Sequence, residues 1–207
     1  MKTKQNKGTK IIIIGGFLGS GKTTAIIELS KMYSASGKTV TYFTNEIGEV
    51  SLDGDLLNYD IETKEITTAC ITCNLKEKMT TAVEQLIEKA HPDILFIEPK
   101  ENISPLVVKD ELEKMILNQI DNESEFSPLF TLIDCSKFFK NIKEKKKISL
   151  DQIEVSEIII LNKTDLISSN ELQMIQESIK QINPNVKIIE NNIKNIGLEK
   201  IMELIKE

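Results

Sequence analysis

Eight residues near the start of the chain, Gly16-Phe17-Leu18-Gly19-Ser20-Gly21-Lys22-Thr23, restrict its fold more than any other stretch. They follow a β-branched apolar run, Ile11 to Ile14, and open a helix beginning near Gly21. Glycines at these positions let successive backbone N–H groups point inward at phosphate oxygens, while the lysine reaches β and γ phosphates and the threonine hydroxyl coordinates magnesium. The positive end of the following helix strengthens the same site. In the order strand, loop, helix, the octapeptide satisfies the P-loop pattern at every defined position. Gly16, Gly19, Ser20, Gly21, Lys22, Thr23 and Thr24 are the candidate phosphate ligands, and Lys22 is also the candidate catalytic cation.

Further β-branched runs at 10–14, 39–43, 94–98, 129–134, 158–161 and 186–190 are separated by helix-length segments. Runs of this kind suit strands buried on both faces, and the spacing suits crossover helices. The expected class is α/β: a single P-loop NTPase domain, with a mostly parallel β-sheet flanked by helices on both faces. At 207 residues without a low-complexity linker, one domain over 10–207 is expected, preceded by a disordered basic tail over 1–9. Ser168 with Glu171 forms a capping box before an apolar stripe, and Ser104-Pro105 supplies a cap and a first-turn proline. Leu198, Ile201, Met202 and Ile205 mark a last amphipathic helix. The 45–68 stretch has mixed periodicity and reads as a long functional loop.

Two of the strands end in an acid. Glu98 closes Ile94-Leu95-Phe96-Ile97, and Asp134 closes Thr131-Leu132-Ile133. One such carboxylate would hold magnesium with Thr23 or position an attacking water, and the other would cap a helix; Glu98 is preferred for the metal. The late strand 158–161 runs into Asn162-Lys163-Thr164-Asp165. A carboxylate at Asp165 can accept from the N1–H and 2-amino groups of guanine, donors that adenine lacks there. Asn162 would brace the loop and the Lys163 stem would lie against the purine, so GTP is the expected nucleotide.

Cys70-Ile71-Thr72-Cys73 lies just before a helix expected over 76–90, whose N-terminus favours thiolates. Two thiolates supply half of the ligands that zinc takes, and Glu46 and Glu49 are candidates for the rest. The alternative is a pair of buried thiols without metal. Cys135 reads as core, and His91, before Pro92, as a surface turn residue.

A formal charge of −6 argues against nucleic-acid binding. The lysine-rich segment 140–147 reads as a solvated helix face beside Phe138, Phe139 and Ile142, which could anchor it. No apolar run is long enough for a membrane span or a signal-peptide core, and three cysteines do not suggest a disulfide scaffold, so the expected location is cytoplasmic. All 26 basic residues are lysine. An arginine finger in cis, or from an identical subunit, is therefore excluded, and very slow intrinsic hydrolysis is expected.

The segments 15–24, Asn45-Glu46-Ile47-Gly48-Glu49-Val50, Cys70 to Cys73, 98–105 and 161–166 together resemble the CobW-like metallochaperone GTPases of the SIMIBI class, which also holds the nickel-insertion GTPases. The resemblance implies slow GTP hydrolysis with Mg2+, coupled to delivery of Zn2+, Co2+, Ni2+ or a metal-containing cofactor such as cobalamin to a client metalloenzyme. It also implies the option of a nucleotide-dependent homodimer. Three departures stand out: Thr72 replaces the middle thiol of the family's C-x-C-C, Glu101 stands where the family has a γ-phosphate-sensing glycine, and the family's second C-terminal domain is not seen. An alternative implied by the first two is a GTP-gated switch that docks on a corrinoid-dependent or other metalloenzyme without carrying metal. A small-molecule kinase on the same P-loop is a weaker third reading.

Overall fold

The computed structural model describes residues 8–44, 75–119, 124–144, 146–191 and 198–206. Within them, the isoleucine-rich run after the basic tail forms β1 (Lys10–Gly16), the central strand of the sheet. The chain continues through α1 (Lys22–Ala35), β2 (Val40–Thr44), α2 (Leu75–Ala90), β3 (Ile94–Glu98) and α3 (Pro105–Gln119). Then follow β4 (Glu125–Phe126), β5 (Phe130–Asp134), α4 (Phe138–Glu144), α5 (Lys146–Glu154), β6 (Ile158–Asn162), α6 (Ser169–Ile182), β7 (Lys187–Glu190) and α7 (Leu198–Lys206).

The strand order is β2-β3-β1-β5-β6-β7, every neighbouring pair is parallel, and β4 pairs in parallel with β1 outside this path. β3, β5 and β6 are buried at every position, as uninterrupted apolar runs demand when helices cover both faces. On one face Ile12, Ile14, Phe96 and Leu132 pack against Ile26 and Leu29 of α1 and Ile201 and Ile205 of α7. On the other, Ile11, Ile13 and Leu95 meet Val83 of α2 and Leu112 of α3, while Ile159 and Leu161 meet Ile153 of α5 and Ile175 and Ile179 of α6. Alternation along β1 thus divides its isoleucines between two cores, each fully buried side chain contributing about 1.5–3 kcal/mol.

All six expected strands form, displaced by at most two residues at their ends. β4 was not foreseen: two residues carry no periodicity, and register against Lys10 and Ile11 defines it. The Ser168–Glu171 capping box is present, Ser168 Oγ accepting from the Glu171 N–H at 3.3 Å and the Glu171 carboxylate accepting from the Ser168 N–H at 2.9 Å. Of the lysine-rich segment, residues 140–144 and 146–147 are helical, and Lys140, Lys143 and Lys147 are exposed. Of its three expected anchors Phe138 is buried and Ile142 packs partly buried against the same cluster, whereas Phe139 is 45% exposed because consecutive helical residues point about 100° apart. Among the described residues no helix is long and apolar enough to cross a membrane.

Candidate functional site

The carboxyl ends of β1, β3, β5 and β6 bring Gly16, Glu98, Asp134 and Asn162 to one edge of the sheet. Parallel register makes this possible: Asp134 pairs with Asn162, Thr44 with Glu98 and Gly16 with Leu132. The strand order reverses on either side of β1, and such switch points are where open α/β sheets bind ligands.

The loop leaving β1 turns sharply at Gly16, whose φ is 137°; an added Cβ would come within 2.4 Å of the Leu132 carbonyl oxygen. Only glycine fits there. The loop closes through the Ser20 N–H donating to the Phe17 carbonyl at 3.0 Å, and α1 starts after Gly21, which caps it from the left-handed region with φ 100°. No side chain caps this helix, so its first N–H groups remain for an anion. Ser20 Oγ is buried in the same loop without a hydrogen-bond partner. An orphaned buried hydroxyl at a helix N-terminus is what a phosphate-binding loop would contain.

Lys22 and Glu98 are both buried, with Lys22 Nζ 3.7 Å from Glu98 Oε1. Lys22 Nζ also donates to the Phe17 carbonyl at 3.3 Å, and Thr23 Oγ1 donates to the two Glu98 oxygens at 3.1 and 3.2 Å. Tyr42, on β2, donates its hydroxyl to Glu98 Oε2. Burial first, and then the Glu98 charge, hold the Tyr42 phenol well above its usual pKa, so it remains a donor. The threonine hydroxyl and the carboxylate form a hard-oxygen pair suited to magnesium. Tyr42 escaped sequence reasoning because a tyrosine in a strand needs no explanation beyond β-propensity.

Asp134 is the capping acid. Its carboxylate accepts from the Ser136 N–H at 3.0 Å, capping the 3-10 turn Cys135–Lys137, and from Lys163 Nζ at 2.6 Å. Burial raises its pKa, but hydrogen bonds from Lys163 and Ser136, with the charges of Lys163 and Lys137, bring it below the ordinary carboxylate range.

Asn162 Nδ2 donates to the Ser20 carbonyl at 2.8 Å, and Lys163 Nζ donates to the Gly19 carbonyl at 2.6 Å. Lys163 sits in the left-handed region, φ 59°, directing the chain into the 3-10 turn Thr164–Leu166. Asp165 and Thr24 are exposed at the same end of the sheet. The structure thus brings together Gly16, Gly19, Ser20, Gly21, Lys22, Thr23, Glu98, Asn162 and Lys163.

Cys70, Cys73, Glu46 and Glu49 lie outside the described residues. Among the described residues no group of three or more His, Cys, Asp or Glu side chains could hold a metal ion. Cys135 is buried and its thiol is pushed up to about 12 by burial first, then by the Asp134 and Glu190 charges. His91 is exposed.

A family of nucleotide-binding domains described as CobW/HypB/UreG matches residues 10–190. The chain is 30% identical over 208 residues to zinc-regulated GTPase metalloprotein activator 1 of Schizosaccharomyces pombe, covering 94% of this chain and 48% of that protein. It is 31% identical over 173 residues to zinc chaperone YeiR of Escherichia coli, covering 81% of this chain and 50% of that one. The chain therefore spans about half the length of these curated relatives. Among solved structures, the hydrogenase maturation factor HypB of Archaeoglobus fulgidus superposes with a TM-score of 0.67 at 18% identity, covering 97% of this chain and 90% of HypB. That likeness concerns the fold.

Proposed function

The chain belongs to the CobW/HypB/UreG nucleotide-binding-domain family, and from that premise we propose that it is a guanine-nucleotide switch of the metallochaperone type, hydrolysing GTP slowly to control delivery of a metal to a client metalloenzyme. One observation carries the reading: the Asn162 and Lys163 side chains are tied to the carbonyls of Ser20 and Gly19, joining the base-reading loop to the phosphate loop. The spacing supports a nucleoside triphosphate laid across both, its purine edge at Asp165 and its phosphates on the amides of the loop from Gly16 to Thr24.

In this reading Lys22 and the orphaned Ser20 hydroxyl bind phosphate oxygens. Thr23 and Glu98 hold magnesium, which supplies charge neutralisation at the phosphates. Glu98 also orients water, itself fixed by the Tyr42 hydroxyl. Without arginine, turnover of the isolated protein stays below about 1 per second. Zinc is the favoured cargo, because the relatives named above include a zinc chaperone and a zinc-regulated activator. Cys70, Cys73, Glu46 and Glu49 are its proposed ligands, with cobalt, nickel or a corrinoid as other cargoes and a nucleotide-dependent homodimer as a form of action.

Calorimetry with GDP, a non-hydrolysable GTP analogue, ADP and an ATP analogue tests the nucleotide. Guanine nucleotides should bind at least about 100-fold tighter, a preference that Asp165→Ala abolishes. Equal affinity for adenine and guanine would overturn the proposal. Zinc titration in each nucleotide state, with and without Cys70→Ser and Cys73→Ser, tests the cargo. The second reading, a switch that carries no metal, is favoured by Thr72 between the two cysteines. Absence of micromolar zinc binding in every nucleotide state would select it.

A further inference from the structure

The phosphate loop carries an anion of its own. Glu101, three residues beyond Glu98, accepts a hydrogen bond from the Leu18 N–H at 3.1 Å through Oε2. Leu18 lies between Gly16 and Lys22, within the row of amides that a polyphosphate would occupy. The position of the carboxylate is built rather than accidental. A turn, closed by the Ile103 N–H donating to the Lys100 carbonyl at 3.0 Å, contains Glu101. Its backbone carbonyl is in turn anchored at 2.9 Å by Nε2 of Gln152, a fully buried side chain of α5.

Two anions cannot share one amide, and a carboxylate beside a terminal phosphate is repelled by it. A diphosphate, one phosphate shorter, can leave the Glu101–Leu18 contact in place. We propose that Glu101 is a specificity-determining residue that biases the site toward the nucleoside diphosphate, because a third phosphate must displace its carboxylate from the Leu18 amide. This inference rests on the nucleotide reading above. It implies a resting state occupied by diphosphate, which enters the triphosphate state only when the 99–104 turn is drawn aside.

The test is calorimetric affinity for GDP and for the β,γ-imido analogue of GTP, both with Mg2+, in the full chain and in Glu101→Gln and Glu101→Gly. Glu101→Gln retains an acceptor for Leu18 and removes only the charge, whereas Glu101→Gly removes both. Wild type should prefer GDP. Both variants should tighten analogue binding by about tenfold relative to GDP, which corresponds to about 1.4 kcal/mol. Raising the ionic strength from about 0.05 to 0.5 M should narrow the wild-type gap and leave that of Glu101→Gln nearly unchanged. An unchanged GDP-to-analogue ratio in both variants overturns the role of Glu101 while leaving nucleotide binding intact. Equal weakening of both nucleotides assigns Glu101 to loop shape alone and also overturns it. If wild type binds neither guanine nucleotide, the parent reading fails and takes this one with it.

Discussion

Replacing Glu98 with glutamine isolates the charge at the centre of the site. The side chain keeps its shape and still accepts from Thr23 and Tyr42, but Lys22, only 4% exposed, loses its counter-ion in the ligand-free protein. At 3.7 Å and an effective dielectric near 20, the attraction removed is about 4.5 kcal/mol. Breaking a buried pair by removing one partner costs about 3–5 kcal/mol, and the glutamine dipole returns part of it, so a loss of about 3 kcal/mol is expected. For a domain of this size that lowers Tm by about 6–12 °C. GDP without magnesium should reverse most of the loss, because its phosphates restore negative charge beside Lys22 and no longer face the Glu98 carboxylate. Thermal and urea unfolding of both proteins, with and without GDP in EDTA, measure this. A ligand-free Tm within about 2 °C of wild type, or equal stabilisation of both proteins by GDP, would refute the argument.

Tyr42→Phe removes one donor to a buried carboxylate and should cost about 1.5 kcal/mol by urea unfolding, with more magnesium then needed for half-maximal nucleotide binding; unchanged stability would show that the contact contributes nothing. In a Cys70→Ser, Cys73→Ser background, Cys135 should resist alkylation at pH 8 in the folded state and react on unfolding, since its thiol is pushed up to about 12; rapid native labelling would contradict its burial. The folded Asp134 carboxyl is depressed, so its contribution to stability is full above its unfolded value of about 4 and is lost as pH falls through the folded value. Unfolding at several pH values below about 4 should therefore show a shallower decline in Asp134→Asn than in wild type; parallel curves would remove Asp134 from the acid response.

Local chemistry made the phosphate loop legible. Gly16 and Gly21 adopt conformations that few other residues accept, and Lys22 and Thr23 stand at fixed offsets from them. The strands were legible because both-face burial leaves runs of isoleucine and leucine such as 158–161. What could not be read depended on register. Nothing in the sequence around Tyr42 says that β2 pairs beside β3 in the frame that brings its hydroxyl to Glu98. Glu98 and Asp134 looked alike as strand-end acids, and their surroundings separate them: one meets Lys22 and Thr23, the other a 3-10 turn and Lys163. The departure at Glu101 was visible, but its reach to the Leu18 amide required the turn at 100–103 and its anchor on Gln152.

The ties from Asn162 and Lys163 to the carbonyls of Ser20 and Gly19 span more than 140 positions of the chain. During synthesis on the ribosome the Gly16–Thr23 segment emerges first, yet it lacks these two braces until the strand ending at Asn162 has followed it out. Fragments cut before residue 160 should therefore carry an intact motif and bind no phosphate, and ligand grip should arrive abruptly once Asn162 and Lys163 have emerged rather than growing with the length made.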